Sequence, residues 1–151
     1  MDWTVRPYGD PDFDRVWAME RARDADGYVS AVVVRQAAAL YPATFLVAED
    51  AGEPAGFVIA APSSDPGVGW VLRLKVREER RRRGCARALL GAAVDRLMAG
   101  GVEQVRLTVA PGNLAARALY AQLGFVEEAR LPDYFGPGEA RLLLVLADPA
   151  R

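Results

Sequence analysis

Trp70-Val71-Leu72-Arg73-Leu74-Lys75-Val76 runs directly into Arg77-Glu78-Glu79-Arg80-Arg81-Arg82-Arg83-Gly84-Cys85-Ala86-Arg87. The first part alternates apolar residues as a strand does, and the second is a basic turn with a glycine embedded in it. Beyond the turn, Ala86, Leu89, Leu90, Ala93, Val94, Leu97 and Met98 recur at the spacing of one helical face, and Gly100-Gly101 stops that pattern. The first N–H groups of a helix have no intrahelical partner, and the helix dipole adds partial positive charge there. A strand that passes through such a turn into a helix is therefore a ready-made anion site. Between residues 77 and 87 six arginines stand against Glu78 and Glu79, a net charge of 6 − 2 = +4. Guanidinium groups suit bidentate phosphate contacts, so the turn reads as a cradle for a diphosphate.

Working outward, the remaining residues divide into elements on both sides of this unit. Trp3-Thr4-Val5-Arg6 predicts a short strand, and Asp10-Pro11 looks like an N-cap with proline at the first helical position. Phe13, Val16, Trp17 and Met19 follow at helical spacing, residues 21–28 read as a loop, and Ser30 is a candidate cap for a second helix. In that helix Val33, Val34, Ala37 and Leu40 form an apolar face, and Pro42 closes it. Residues 44–49 and 55–61 read as the two strands of a hairpin around the turn at 50–54. Pro62 to Gly69 is a loop by its Ser, Asp, Pro and Gly content. After the long helix come a strand at 105–109, a turn at Pro111-Gly112-Asn113, and a helix at 114–123 that Asn113 can cap. An extended piece begins at Phe125-Val126, a loop at 131–138 holds Tyr134 and Phe135, and Leu142 to Leu146 is a last strand. Trp3 and Trp17 are expected in the core.

The order is β-α-α-β-β-β-α-β-α-β-β, an α/β (α+β) fold with one mixed sheet of about six or seven strands flanked by about four helices. Residues 70–109 predict a parallel strand pair with a right-handed crossover. The 151 residues read as a single domain, 1–151, without repeat, linker or low-complexity block. No apolar run reaches membrane-spanning length and no leader pattern opens the chain, so a soluble, cytoplasmic protein without membrane partners is expected.

Composition excludes several chemistries. The chain has no histidine and one cysteine, Cys85. That removes histidine bases, Ser-His-Asp and Cys-His nucleophiles, thiolate or imidazole metal sites, and an intramolecular disulfide; no metal is expected. Net charge is −1, so there is no global bias toward nucleic acid. Gly84 lacks the G-x-G-x-x-G setting of a dinucleotide fold and the G-x-x-x-x-G-K-[ST] of a P-loop. What stands there is Arg81-x-x-Gly84-x-Ala86. Gly84 permits close backbone approach to a ligand, and Ala86 keeps the helix start uncrowded.

That turn, followed by Leu107-Thr108-Val109-Ala110-Pro111-Gly112-Asn113, by Ala118-Leu119-Tyr120-Ala121-Gln122-Leu123-Gly124-Phe125 and by the late Tyr134-Phe135, resembles the GCN5-related N-acetyltransferase superfamily. Within it the chain is most similar to bacterial ribosomal-protein N-terminal alanine acetyltransferases. Specific motifs cover about residues 70–146; residues 1–69 match only in the order of elements. The resemblance implies a sheet splayed between its central strands, with acetyl-CoA (coenzyme A) in the splay. Backbone groups near Leu74 and Val76 would hold pantetheine and polarise the thioester. N–H groups of Arg81, Arg82, Arg83, Gly84, Cys85, Ala86 and Arg87 would hold the diphosphate, with the Cys85 side chain inert and backbone amides counting for more than charge. Asn113 would contact the cofactor arm, Tyr120 would act as general acid toward the departing thiolate, and Tyr134 and Phe135 would line the acceptor channel.

One position departs from the pattern. Where the ribosomal-protein enzymes carry a glutamate general base, five residues before the asparagine, this chain has Thr108, which takes up no proton at neutral pH. The base is left open, with Glu49 or Glu20 through water as candidates. The expectation is an acetyl-CoA-dependent N-acetyltransferase (an acyltransferase) that transfers acetyl directly to a primary amine on a peptide or protein N-terminus or a small molecule. The alternative is an acyl-CoA sensor that binds without turnover; an RNA- or ribosome-surface protein is the third reading. The acceptor, the acyl-chain preference and the oligomeric state, a homodimer included, stay open.

Overall fold

The computed structural model describes residues 3–21 and 27–147. The elements are β1 (Thr4–Pro7), a 3-10 turn (Asp10–Asp12), α1 (Phe13–Glu20), α2 (Tyr28–Leu40), β2 (Phe45–Asp50), β3 (Glu53–Pro62), β4 (Val68–Val76), α3 (Cys85–Ala99), β5 (Gln104–Val109), α4 (Leu114–Gln122), β6 (Val126–Leu131) and β7 (Arg141–Ala147). This is the order of strands and helices expected from the sequence. The strands form one mixed sheet in the order β1-β2-β3-β4-β5-β7-β6. Pairing is antiparallel for β1/β2, β2/β3, β5/β7 and β6/β7 and parallel for β4/β5. The parallel ladder joins Val68 to Gln104, Gly69 to Val105 and Trp70 to Arg106. No helix of the described residues is long and apolar enough to cross a membrane.

The chain divides into two compact units, one made of Met1–Ala61 and Leu72–Arg96, the other of Pro62–Val71 and Leu97–Arg151. In the first, α1 and α2 cover the hairpin β2–β3 through Val16, Val34, Ala37, Phe45, Val47, Phe57 and Ile59, all buried. Burying side chains of this size contributes roughly 1.5–3 kcal/mol each, and this apolar face determines which side of the hairpin the helices take. In the second, β5 alternates buried and half-buried residues, with Val105, Leu107 and Val109 inward and Leu142, Leu143 and Leu144 of β7 buried beside it.

Four local expectations are corrected. Ser30 does not cap α2 but lies buried inside it. The helix starts at Tyr28 after Gly27, whose φ of 75° suits glycine, and a Cβ there would stand 2.8 Å from the Trp17 ring. Leu40 is 66% exposed, because Tyr41, seven residues after Val34, packs on the core in its place. The entry to α1 is the 3-10 turn, where the Asp12 carboxylate accepts from the Gly9 N–H at 2.9 Å. Trp3 and Trp17 are only half-buried, and each uses its indole N–H to hold a loop: Trp17 donates to the Gly27 carbonyl at 3.0 Å and Trp3 to that of Arg83 at 2.8 Å. Most of the loop expected at 21–28 lies outside the described residues.

Candidate functional site

The basic turn is a shaped piece of backbone. Arg77 leaves β4 with its N–H on the Ala55 carbonyl at 2.8 Å, and Glu78–Arg80 form one 3-10 turn. Arg82 (φ 64°) and Gly84 (φ 81°) are then left-handed, with Arg83 between them. Alternation of backbone hand brings successive N–H groups onto a common concave side, the arrangement that binds anions. Among the described residues the N–H groups of 82–86 donate to no backbone carbonyl. The Gly84 carbonyl opens α3 by accepting from Ala88 at 3.0 Å. A Cβ placed on Gly84 meets nothing within 4 Å. Glycine is thus required there by its φ, and any side chain would project into the open space that a bound diphosphate needs. By this test the turn fits the anionic group that the sequence points to.

Side chains hold the turn in shape. The Trp3 indole fixes Arg83 through its carbonyl. Arg80 Nε lies 2.5 Å from Asp50 Oδ2, so Arg80 is half-buried in an ion pair. Arg77 pairs with Glu79 at 2.5 Å. Arg81 folds back so that its Nε donates to the Val76 carbonyl at 3.2 Å, which occupies one of the β4 groups expected to serve pantetheine. Arg82, Arg83, Gly84 and Arg87 are exposed, while Leu74 and Val76 are half-buried.

Beneath the turn, β3 passes the end of β4 and the start of α3 at Gly56. A Cβ there would lie 2.8 Å from the Lys75 carbonyl, 3.1 Å from Cys85 Sγ and 3.1 Å from Leu89 Cδ1. A glycine inside a strand pattern signals such an approach, and Gly56 could have been found in the sequence by that sign. Cys85 is 2% exposed and burial pushes its thiol up to about 11. Its side chain is packing, and only its backbone belongs to the turn.

Leu74, Val76 and residues 81–87 therefore lie together in the first unit, whereas Thr108, Asn113, Tyr120, Tyr134 and Phe135 belong to the second. Asn113 caps α4, its Oδ1 accepting from the Ala116 N–H at 3.2 Å. Tyr120 sits on α4 with its ring 5.9 Å from that of Phe125, and burial raises its phenol above the ordinary tyrosine value. Thr108 is half-buried on β5 opposite Leu143. Tyr134 and Phe135 are 48% and 60% exposed, their rings meeting edge to face at 4.8 Å, with Arg141 4.9 Å over Phe135.

Of the two carboxylates considered as bases, Glu49 is ion-paired with Arg6. Glu20, the last residue of α1, is 6% exposed and pairs through Oε1 with Arg73 of β4. Its Oε2 is buried without a hydrogen-bond partner among the described residues. In the same unit a cavity of about 490 Å³ is lined by α1 residues Arg15, Ala18 and Met19, by Lys75 and Val76 of β4, and by the start of the turn. A second cavity, of about 370 Å³, lies in the other unit between α4 and the strands, against Leu114, Ala118, Phe125 and Leu144.

The model of the acetyltransferase (GNAT) family matches residues 4–125. An uncharacterised N-acetyltransferase of Methanocaldococcus jannaschii is 28% identical over 146 residues, 96% of this chain and 92% of that protein. An N-alpha-acetyltransferase of Sulfurisphaera tokodaii is 33% identical over 117 residues, 69% of each chain. The crystal structure of Ard1 from Thermoplasma volcanium superposes with a TM-score of 0.85 over 97% of this chain and 98% of that one, at 25% identity.

Proposed function

The chain belongs to the acetyltransferase (GNAT) family, and from that premise we propose that it transfers acetyl directly to a primary amine. It is an acetyltransferase with acetyl-CoA as donor. The primary amine, the residue roles given below and a single domain over 1–151 are all part of this proposal. The observation that carries the reading is the turn after β4: N–H groups over 82–86 that donate to no backbone carbonyl among the described residues, two left-handed residues, and open space above Gly84. Relatives named as N-acetyltransferases support an amine acceptor, either a peptide N-terminus or a small molecule.

In this reading the N–H groups expected over 81–87 would hold the diphosphate, save that of Arg81, which donates to the Glu78 carbonyl at 3.3 Å, and the backbone near Leu74 and Val76 would hold pantetheine. For Val76 this requires Arg81 to release the carbonyl it holds. A β4 N–H would polarise the thioester carbonyl, and fixed dipoles of this kind are usually a large catalytic contribution. Holding the donor beside the acceptor supplies much of the rest. When bound, acetyl-CoA supplies an acetyl group activated as a thioester. Asn113 contacts the cofactor arm in addition to capping α4. Tyr120, with its phenol raised by burial, stays protonated through neutral pH and can give its proton to the leaving thiolate. The exposed pair Tyr134 and Phe135 lines the approach of the acceptor.

Acetyl-CoA at a hundredfold excess over its dissociation constant stabilises a binding protein by about 2.7 kcal/mol, so a clear rise in melting temperature is expected. Gly84→Glu should abolish that rise; absence of a shift in the wild type at millimolar acetyl-CoA sinks the proposal. Release of free CoA thiol is then read across peptides and small amines. Tyr120→Phe should lower kcat roughly a hundredfold or more with little change in the KM for acetyl-CoA. Binding without turnover on any acceptor would favour the sensor reading, which Thr108 motivates.

A further inference from the structure

We propose that Trp3 is a positioning residue for the donor: its indole N–H, by holding the Arg83 carbonyl, sets the direction of the Gly84 N–H that meets the diphosphate. This deepens the acetyl-CoA reading of the turn and rests on it. The Arg83 carbonyl and the Gly84 N–H belong to one planar trans peptide and point in opposite directions. A donor that fixes the oxygen at 2.8 Å therefore fixes the N–H on the far side. Gly84 is where this counts. Glycine takes either hand of backbone at little steric cost, so a peptide that ends on it can flip and put an oxygen where its N–H was. An oxygen in that place repels a phosphate. Among the described residues no backbone group bonds to either end of this peptide. The contact that holds it comes from 80 positions away.

Strand pairing delivers Trp3 to the turn. Thr4 opens β1 opposite Glu49, so the next residue out on each strand, Trp3 and Asp50, falls at the same end of the β1/β2 pair. Both reach the turn: Asp50 pairs with Arg80 at 2.5 Å and Trp3 donates to Arg83. All four residues lie in the first unit. The ion pair anchors the start of the turn, and the indole sets the peptide that leads into α3. A carbonyl that already accepts a bond also makes the N–H of its own peptide a better donor. The chemistry that senses this is an anion with several acceptor oxygens at the α3 N-terminus, which in the donor is the diphosphate.

The test measures acetyl-CoA binding by calorimetry and the Gly84 amide signal by NMR on the same samples. Trp3→Phe removes the indole N–H and should weaken acetyl-CoA about fivefold, the loss expected when one hydrogen bond stops holding its group in place. Benzothienylalanine at position 3, a sulfur isostere that keeps the size of the tryptophan ring but cannot donate, should give the same loss and carries the test if Trp3→Phe folds poorly. In the wild type the Gly84 amide proton should move downfield when acetyl-CoA binds, and in both variants it should move less. A role confined to packing predicts the opposite pattern, with the isostere binding as the wild type does and the Gly84 shift intact. Either of those results, or a loss of less than about twofold in both variants, overturns the inference alone. Failure of the wild type to bind acetyl-CoA overturns the reading beneath it.

Discussion

Asp12 and Glu20 stand at the two ends of the same stretch of helix, equally buried at 5% and 6% exposure, and the fold treats them in opposite ways. Asp12 has both oxygens bonded: Arg6 Nη1 reaches Oδ2 and Nη2 reaches Oδ1, each at 2.8 Å, and the Gly9 N–H adds a third bond at 2.9 Å. Glu20 has one oxygen on Arg73 and the other without a hydrogen-bond partner among the described residues. Burial alone would push the Asp12 carboxyl up, but the bonds from Arg6 and Gly9 outweigh it and hold it below the ordinary carboxylate range. The bond to Asp12, against desolvation and helped by Glu49, raises the Arg6 guanidinium above its usual value. A saturated carboxylate of this kind joins β1 to α1 and belongs to stability. An unsaturated one gives stability up.

The largest effect expected from breaking this contrast is that of Arg6→Met. It strands the buried Asp12 and should lower unfolding free energy by roughly 3 kcal/mol, read as a shift in denaturant midpoint at constant slope. Arg73→Gln should come next, at about 2 kcal/mol, because it leaves the buried Glu20 with no cation at all. Asp12→Asn is expected to cost about 1.5 kcal/mol at neutral pH. It should also flatten the acid limb of stability. The sign follows from the depressed Asp12 value: its contribution is present above the unfolded carboxylate range near pH 4 and is lost as pH falls through the lower folded value. A wild-type curve with no greater acid loss than Asp12→Asn would remove Asp12 from the structural side. Smallest is Glu20→Gln, expected within about 1 kcal/mol of wild type, since Arg73 is 42% exposed and can return to water. If Glu20→Gln destabilises as much as Arg73→Gln, the two carboxylates are of one kind and the contrast fails.

How much of this was legible in the sequence depended on distance along the chain. The helical stripe of Leu89, Leu90, Ala93, Val94 and Leu97 and the alternation of residues 70–76 are local periodicities, and each produced an element within a residue or two of its predicted ends. The turn was legible for the same reason, since strand, glycine and helix start are adjacent. What escaped was pairing across the chain. Trp3 and Arg83 are 80 positions apart, and no pattern within either segment links them. The Arg80–Asp50 pair escaped in the same way, because Asp50 sits on another strand. Leu40 obeys the helical period but falls at the helix end, where Tyr41 takes the inward position. The unmet oxygen of Glu20 is a property of what surrounds it, and composition carries no trace of it.

The burial of Cys85 has a practical consequence at the bench. Its thiol is the only one in the chain, is 2% exposed and is raised to about 11, so little of it is thiolate at neutral pH. Colorimetric thiol reagents added to a reaction mixture will therefore colour with released coenzyme A against almost no background from the protein. The same residue is wedged against Gly56 and the first turn of α3. Its slow labelling, followed over hours without acceptor, then times how often that joint opens on its own, and a bound donor should lengthen the interval.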